Sequence, residues 1–249
     1  MLLLPIHPVI SIYGILISIS IALSVYLAEH LIKKDGRNPE YFWGLTLYTL
    51  VAGIAGARLY HVLDFYKYYI QHPLYIPALW SGGMSIIGAV LGGVFGLFIY
   101  SKKNKLDIIY WLDIAAVVTP LAQAIGRWGN FFNKEIFGLP TDVFWGIFIP
   151  EEKRPEGFES FVRFHPLFLY ESLLNLLLFL FLYHIKTKAK KHTGIIFWLY
   201  IAGYSCIRFL LEFLRIRPWS IAGINVAQAI CLVAGTFAAI ALVKKKSVA

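Results

Sequence analysis

Long apolar runs divide the chain into seven segments, each long enough to cross a membrane. A bilayer core about 30 Å thick requires roughly 20 apolar residues at the 1.5 Å rise of an α-helix. The stretches that meet this requirement are residues 9–28, 41–62, 83–100, 107–124, 167–184, 194–214 and 221–243. None alternates apolar and polar residues as the strands of a membrane barrel do. The pattern predicts an all-α polytopic membrane protein with seven transmembrane helices, forming a single domain over residues 1–249.

Two further features concern how the spans pack and how they are connected. Gly88, Gly92 and Gly96 repeat at a spacing of four residues in the third span, and Gly53 and Gly56 lie in the second. Small residues let helix backbones approach closely in lipid, so these glycines predict close helix packing. Residues 129–166, between the fourth and fifth spans, are too many for a turn. We expect them to form an extracytoplasmic head segment.

The composition agrees with a membrane protein. Of the 249 residues, 59% are hydrophobic and 15% are charged, whereas soluble domains have roughly 45–50% and about 25%. This excludes an ordinary soluble domain and a disordered chain. The two cysteines, Cys206 and Cys231, lie in apolar stretches, which supports neither a disulfide framework nor a thiolate metal site.

The net charge of +9 is best explained by membrane orientation. A basic balance also suits nucleic acid, but in so apolar a chain Lys and Arg more often set topology, and we expect no nucleic-acid partner. Thirteen of the 23 basic residues follow spans one, three, five and seven: Lys33, Lys34, Arg37, Lys102, Lys103, Lys105, Lys186, Lys188, Lys190, Lys191, Lys244, Lys245 and Lys246. Seven lie on the other side: Lys67, Lys134, Lys153, Arg154, Arg163, Arg215 and Arg217. The positive-inside rule therefore predicts a cytoplasmic C-terminus and an N-terminus outside.

Three arginines remain inside the predicted spans: Arg58, Arg127 and Arg208. A charge near the bilayer centre costs at least about 2.5–3.5 kcal/mol, so such residues are functional candidates by default. Counted from the inner end of each span, Arg208 lies about 21 Å, Arg58 about 25 Å and Arg127 about 30 Å along the helix. Tyr13 also lies near the outer edge. The spacing predicts a cationic cluster in the outer half of the membrane.

Carboxylates accompany these arginines. Glu212 follows Arg208 by four residues and shares its helix face. The pair is interpreted either as a structural ion pair or as a device that holds the guanidinium for an anionic ligand, since arginine binds phosphate bidentately. Glu171, at the outer end of span five, carries the same two interpretations. Its neighbours His165 and Tyr170 are either interfacial residues or part of a site.

The densest polar group is residues 126–138, which we call the signature segment. It reads Gly-Arg-Trp-Gly-Asn-Phe-Phe-Asn-Lys-Glu-Ile-Phe-Gly and gathers Arg127, Asn130, Asn133 and Glu135 at the outer end of span four. Ordinary helix ends use one or two polar groups. We therefore interpret the segment as part of a functional site.

The signature segment resembles the prolipoprotein diacylglyceryl transferase family, whose Gly-Arg-x-Gly-Asn-Phe-x-Asn-x-Glu-x-x-Gly pattern it matches at every specified position. Five further motifs match in family order over the whole chain. They are Tyr13-Gly14, Gly56-Ala57-Arg58, Trp80-Ser81-Gly82-Gly83-Met84-Ser85, His165-Pro166-Leu167-Phe168-Leu169-Tyr170-Glu171, and residues 208–215 from Arg208 to Arg215.

The resemblance implies a function. Family members transfer the sn-1,2-diacylglyceryl group of phosphatidylglycerol to the lipobox cysteine of a prolipoprotein, in the bacterial cytoplasmic (inner) membrane, at a site that faces the outer leaflet. A thioether forms, glycerol phosphate leaves, and no metal or organic cofactor is needed. The expected partners are phosphatidylglycerol, lipobox peptides and membrane lipids.

Site residues follow from the matched motifs. Arg127 and Arg208 are expected to bind the phosphate and stabilise its developing charge, Asn130 and Glu135 to orient Arg127 or the headgroup, and Glu212 to orient Arg208. Arg58 and Gly138 are further substrate-binding candidates. His165, Tyr170 and Glu171 are supporting residues.

The chain departs from the family at one place. Many members have a histidine, often proposed as the general base, where this chain has Ile87. Isoleucine cannot accept a proton, so the role is either dispensable or taken by another residue: Tyr13 first, then Glu135 or His61. Alternatively, the positive field of the arginines alone lowers the pKa of the substrate cysteine.

Two other classes of function compete with the transferase. An anion or lipid transporter would use the arginines for selectivity, but it predicts polar residues through the full membrane depth. A structural scaffold would use the ion pairs only for helix packing, and it leaves the signature segment without a purpose. The sequence ranks both below the transferase.

Overall fold

The computed structural model describes residues 12–188 and 194–246, and in these residues the chain forms eight α-helices. Their bounds are α1 Ile12–Lys34, α2 Pro39–Asp64, α3 Tyr66–Gln71, α4 Ile86–Lys103, α5 Ile108–Asn133, α6 Leu167–Lys188, α7 Ile195–Glu212 and α8 Val226–Lys246. All except the short α3 are long and apolar enough to cross a membrane. The prediction of an all-helical multi-pass membrane protein with seven spans is confirmed. Lys190, Lys191 and the start of the first predicted span lie outside the described residues.

Two small hairpins accompany the helices, and the apolar pattern did not predict them because two-residue strands carry no periodicity. Strands β1 (Ile147–Phe148) and β2 (Arg163–Phe164) pair antiparallel. Strands β3 (Ser220–Ile221) and β4 (Ile224–Asn225) also pair antiparallel, between α7 and α8.

The chain divides into two compact units. Of the described residues, the first unit contains 12–28, 112–188 and 194–246, and the second contains 29–111. Helices α1 and α5 each contribute to both. The single domain expected from the sequence stays a prediction.

Glycines bring α2 and α4 into close contact in the second unit. A Cβ atom added to Gly56 would meet the backbone of Gly88 and Gly92, and one added to Gly92 would overlap the carbonyl oxygen of Ala52. Because apolar side chains gain little from one another in lipid, such backbone contact is what holds membrane helices together. The residues between these helices, 65–85, are called the α2–α4 connection. They contain α3 and two short 3-10 turns.

Helix α5, in the first unit, is longer than the apolar pattern predicted. The predicted span ends at residue 124, where Gly126 and Arg127 interrupt the apolar run, but the helix continues to Asn133. Helix propagation depends on backbone hydrogen bonds rather than on apolarity, and Arg127 finds a carboxylate partner on α6. Most of the signature segment is therefore helical.

The residues between α5 and α6, 134–166, are called the α5–α6 connection, and they are tied down at several points. Gly138 N–H donates to the carbonyl of His165 at 2.8 Å, and Leu139 N–H donates to the carbonyl of Leu214 at 2.8 Å. Phe164 is fully buried. The connection is thus an ordered substructure attached to the C-terminal end of α7. Within it, backbone N–H groups of Gly157 and Glu159 lower the pKa of the Glu159 carboxyl.

The start of α7 is fixed by a buried carboxylate on α5. Asp113 is 1% exposed and accepts the N–H groups of Gly194 and Phe197, each at 2.9 Å. A negative charge at a helix N-terminus is favourable because the free N–H groups and the helix dipole both attract it. This contact anchors the helix that carries Arg208.

Candidate active site

An ion pair between α5 and α6 contains the arginine of the signature segment. Arg127 Nη2 lies 2.6 Å from Glu171 Oε1. The side chain of Glu171 is 3% exposed, whereas that of Arg127 is 24% exposed. Truncating one partner of such a buried pair leaves the other charge uncompensated, so we expect the two residues to function as a unit.

A second ion pair lies on α7. Arg208 Nη2 is 2.6 Å from Glu212 Oε2, across one helical turn. Arg215 Nη1 approaches the same oxygen at 3.5 Å. Glu212 is 1% exposed and Arg208 is 16% exposed. In both pairs the carboxylate is the more buried group, and the guanidinium retains an exposed part with which an anion can interact.

A tyrosine of α7, the helix that carries the second pair, is hydrogen-bonded to the first pair. The Tyr204 hydroxyl donates to Glu171 Oε1 at 3.4 Å, and Tyr204 precedes Arg208 by four residues on α7. Its ring stacks on Tyr200 with centroids 6.0 Å apart, and the Tyr200 hydroxyl accepts a hydrogen bond from Gln123 at 3.1 Å. Sequence reasoning missed Tyr204, although its spacing from Arg208 placed both on one helix face.

The end of the signature segment forms a tight turn around Glu135. Its Oε1 accepts hydrogen bonds from Asn130 Nδ2 at 3.0 Å and Asn133 Nδ2 at 3.2 Å. Lys134 and Ile136, on either side, have φ angles of 52° and 53°, which are unfavourable for side chains with a Cβ, above all a branched one. Such strained residues cluster at functional sites. Asn130 and Glu135, expected to orient Arg127 or the headgroup, bond to each other.

Tyr13, the first candidate base, packs against α5. Its side chain is 38% exposed, and a Cβ atom added to Gly129 would overlap its ring carbons. Gly129 therefore permits an approach that no other residue type would allow. The Tyr13 ring therefore lies beside Gly129, two residues after Arg127 on α5.

Gly138, His165 and Tyr170 lie where the α5–α6 connection meets α6 and α7. A Cβ on Gly138 would come 2.8 Å from the Leu214 carbonyl oxygen and 2.9 Å from His165 Cβ, so only glycine fits. His165 Nδ1 is 3.0 Å from the Tyr170 hydroxyl. Tyr170 directly precedes Glu171, the partner of Arg127.

Arg58 lies in the second unit and is 5% exposed. Its Nε donates to the carbonyl of Ile76 at 2.8 Å, and Nη1 donates to those of Gly82 at 2.5 Å and Gly83 at 2.9 Å. Its Nη2 donates to the carbonyl of Tyr75. These bonds use most of the five guanidinium N–H groups and fix the α2–α4 connection. A headgroup-binding role for Arg58 stays a prediction.

Two other residues discussed for proton transfer also lie in the second unit. Ile87, which the resemblance matches to a histidine of the family, is 49% exposed on α4. The His61 ring lies against Gly83 and packs on Phe65 in a tilted arrangement, with centroids 4.6 Å apart. Within residues 12–188 and 194–246, no three His, Cys, Asp or Glu side chains are grouped so that they could hold a metal ion.

Fold and site together define a multi-pass membrane protein with two buried arginine–carboxylate pairs and a strained polar turn. A family model described as prolipoprotein diacylglyceryl transferase matches residues 2–244. A phosphatidylglycerol–prolipoprotein diacylglyceryl transferase of Synechocystis sp. is 40% identical over 225 residues, which are 88% of this chain and 80% of that protein. One of Fervidobacterium nodosum is 39% identical over 227 residues, covering 89% of this chain and 76% of the relative.

The chain belongs to the prolipoprotein diacylglyceryl transferase family, and it is a transferase. The resemblance stated from the signature segment is confirmed.

Proposed function

We propose that this protein transfers the sn-1,2-diacylglyceryl group of phosphatidylglycerol to the thiol of a prolipoprotein lipobox cysteine. The relatives are named phosphatidylglycerol–prolipoprotein diacylglyceryl transferases. The observation that carries the proposal is the pair of arginines on α5 and α7, each held by a buried carboxylate and each partly exposed. Two fixed guanidinium groups suit the phosphate of an anionic lipid, since they bind its oxygens bidentately.

The reaction makes one bond and breaks one. The cysteine sulfur attacks the diacylglyceryl carbon that bears the phosphate ester, and a carbon–sulfur thioether bond forms. The carbon–oxygen bond breaks, and glycerol phosphate leaves with the electron pair. Negative charge grows on the departing phosphate, where Arg127 and Arg208 stabilise it. Glu171 and Glu212 hold the guanidinium groups in place before the reaction begins.

The thiol proton must be removed before or during attack, because the thiolate is the nucleophile and an ordinary cysteine has a pKa near 8.5. Tyr13 is the proposed acceptor, and as its hydroxyl takes the thiol proton it passes its own proton to water. It is chosen because it is partly exposed and its ring lies against Gly129, near Arg127 in sequence. Glu135 is a second candidate, held by Asn130 and Asn133. The arginines assist by favouring the anionic sulfur.

The proposed location is the bacterial cytoplasmic (inner) membrane, with the N-terminus outside and the C-terminus cytoplasmic. The α5–α6 connection then lies on the extracytoplasmic side as a head over the spans, and the site faces the outer leaflet. This arrangement suits a substrate whose lipobox has been translocated.

The test uses purified protein, phosphatidylglycerol vesicles and a lipobox peptide. We expect a thioether-linked diacylglyceryl peptide and an equal amount of glycerol phosphate. Arg127→Ala and Arg208→Ala should each reduce the rate by about 10²-fold or more, as for the loss of a group that stabilises transition-state charge. Arg163→Ala removes an exposed arginine of β2 and should leave the rate unchanged.

Two results would overturn the proposal. One is wild-type protein that yields no thioether product; the other is full activity in both folded arginine variants. Flux of anions or lipids through the same vesicles without transfer would instead favour the transporter.

A further inference from the structure

The Tyr170 hydroxyl receives two side chains from the α5–α6 connection. Trp145 Nε1 donates to it at 2.6 Å, and His165 Nδ1 lies 3.0 Å away. Trp145 and His165 are 20 residues apart, before β1 and after β2 respectively. One hydroxyl in the first turns of α6 thus joins two separate parts of this connection.

The hydrogen-bonding capacity of the three groups matches this arrangement. An indole N–H can only donate, so the Tyr170 oxygen accepts from Trp145. The hydroxyl proton is then available to His165 Nδ1, which accepts it when the neutral ring carries its own proton on Nε2. Each group makes a bond that it is suited to make.

Trp145 is presented by a short fixed turn. Val143 N–H donates to Thr141 Oγ1 at 3.3 Å, and Gly146 N–H donates to the carbonyl of Val143 at 2.9 Å. A Cβ on Gly146 would come 2.9 Å from Thr141 Cγ2, so the turn is closely packed. The indole therefore reaches Tyr170 from a constrained backbone.

Tyr170 is followed directly by Glu171, whose carboxylate binds Arg127 at 2.6 Å. The Ser172 hydroxyl, one residue further, donates to the carbonyl of Ala124 on α5 at 2.8 Å. Three consecutive residues of α6 therefore have three separate contacts. Tyr170 anchors the α5–α6 connection, Glu171 holds Arg127, and Ser172 joins α6 to α5. A shift of this turn moves Glu171 and, with it, the guanidinium.

We propose that Trp145 is a positioning residue of the transferase: through its hydrogen bond to Tyr170 it fixes the first turns of α6 and so the orientation of the Glu171–Arg127 pair. This inference rests on the proposed function of Arg127. It gives the α5–α6 connection a role in the reaction through a residue that is hydrogen-bonded to Tyr170.

The test compares Trp145→Phe, Tyr170→Phe and the double variant in the peptide-transfer assay. Trp145→Phe keeps a six-membered aromatic ring and removes the pyrrole part of the indole together with its N–H donor. We expect kcat to fall about threefold to tenfold, the effect of one hydrogen bond, with KM for lipid and peptide within about twofold of wild type. This split is expected because a misdirected guanidinium loses most where the charge develops, in the transition state. In the Tyr170→Phe background, Trp145→Phe should have no further effect, since the acceptor is already absent.

Trp219→Phe is the matched control, because it makes the same substitution at a tryptophan that is 65% exposed; it should keep the wild-type kcat. A wild-type kcat in Trp145→Phe, or additive effects in the double variant, would overturn the positioning role. So would a fall in thermal stability with kcat per folded molecule unchanged, because that is the result of a purely structural contact. Absence of transfer by the wild-type protein would instead overturn the proposed function and, with it, this role.

Discussion

Arg127 and Arg208, in the first unit, are each held by a carboxylate that is more deeply buried than the arginine itself. Glu171 and Glu212 are nearly inaccessible, whereas Arg127 and Arg208 keep part of their surface free. Removing either carboxylate would leave a guanidinium without its partner, a change that commonly costs about 3–5 kcal/mol in a buried pair. The site therefore depends as much on the residues that fix the arginines as on the arginines themselves.

Gly129 offers a sharp test of the position of Tyr13. In Gly129→Ala the new methyl group overlaps the Tyr13 ring, which must move. We expect transfer to fall at least about tenfold, equivalent to about 1.4 kcal/mol in the barrier. The measurement is the initial rate of thioether formation, normalised to folded protein.

Gly126→Ala is the control in the same helix. Its added Cβ would lie 3.5 Å from Ile17 Cδ1, an ordinary contact, and alanine is the better helix former by about 1 kcal/mol. This variant should be as active as wild type. If the two substitutions reduce the rate equally, the contact between Tyr13 and Gly129 has no special part in the reaction.

Whether a contact between two residues could be predicted depended on how far apart they lie in the sequence. The Arg208–Glu212 pair follows from helical spacing alone, since residues four apart share a face. The Arg127–Glu171 pair joins residues 44 apart, so only the packing of α5 on α6 reveals it. Hydrogen bonds to backbone acceptors also cannot be predicted from the sequence. Arg58 binds carbonyl groups, and because every residue has one, the residue types do not show which carbonyls are used.

At the scale of elements, the α2–α4 contact is decided by single glycines. Gly92→Ala would place a methyl group on the carbonyl oxygen of Ala52. This oxygen belongs to the backbone, so it cannot avoid the overlap by a change of side-chain rotamer. We expect a loss of about 1–3 kcal/mol in unfolding free energy, typical of overpacking. Thermal unfolding in detergent measures it.

The adjacent residue is the control for this prediction. A Cβ on Gly93 would lie 3.5 Å from Thr49 Cγ2, a normal distance, so Gly93→Ala should keep or raise the melting temperature. Equal losses in both variants would mean that α2 and α4 tolerate added volume and that the close approach does not hold them together.

The apolar pattern predicted which elements exist better than where they end. All seven predicted spans correspond to helices, because apolar runs of this length have few alternatives in lipid. The end of α5 was placed too early, since hydropathy marks the limit of the apolar run and not of the helix. Helix α3 was not predicted. It is only six residues long, which is too short to produce a recognisable apolar pattern.

At the scale of the whole molecule, the distribution of lysine and arginine predicts the orientation, which labelling can check. In a variant with Cys206→Ser and Cys231→Ser, a single cysteine is introduced as Glu152→Cys in the α5–α6 connection or as Lys102→Cys at the end of α4. A membrane-impermeant maleimide applied to intact cells should label the first and not the second. Permeabilised cells should show both labelled, which controls for accessibility.

The reverse labelling pattern would place the C-terminus outside and remove the proposed outer-leaflet site. Labelling of both cysteines in intact cells would show that the reagent had entered and would call for a smaller dose, at which the two positions must still separate.

The bonds of Arg58 have a consequence for how the protein is made. All four of its carbonyl acceptors come later in the chain, 17 to 25 residues after it. When α2 first reaches the membrane, these later residues have not yet emerged from the ribosome, so the guanidinium is a charge placed in lipid without its carbonyl acceptors. We therefore expect α2 to reach its stable arrangement only after about one further helix-length of polypeptide has emerged, so that assembly of this region depends on translation beyond the span itself.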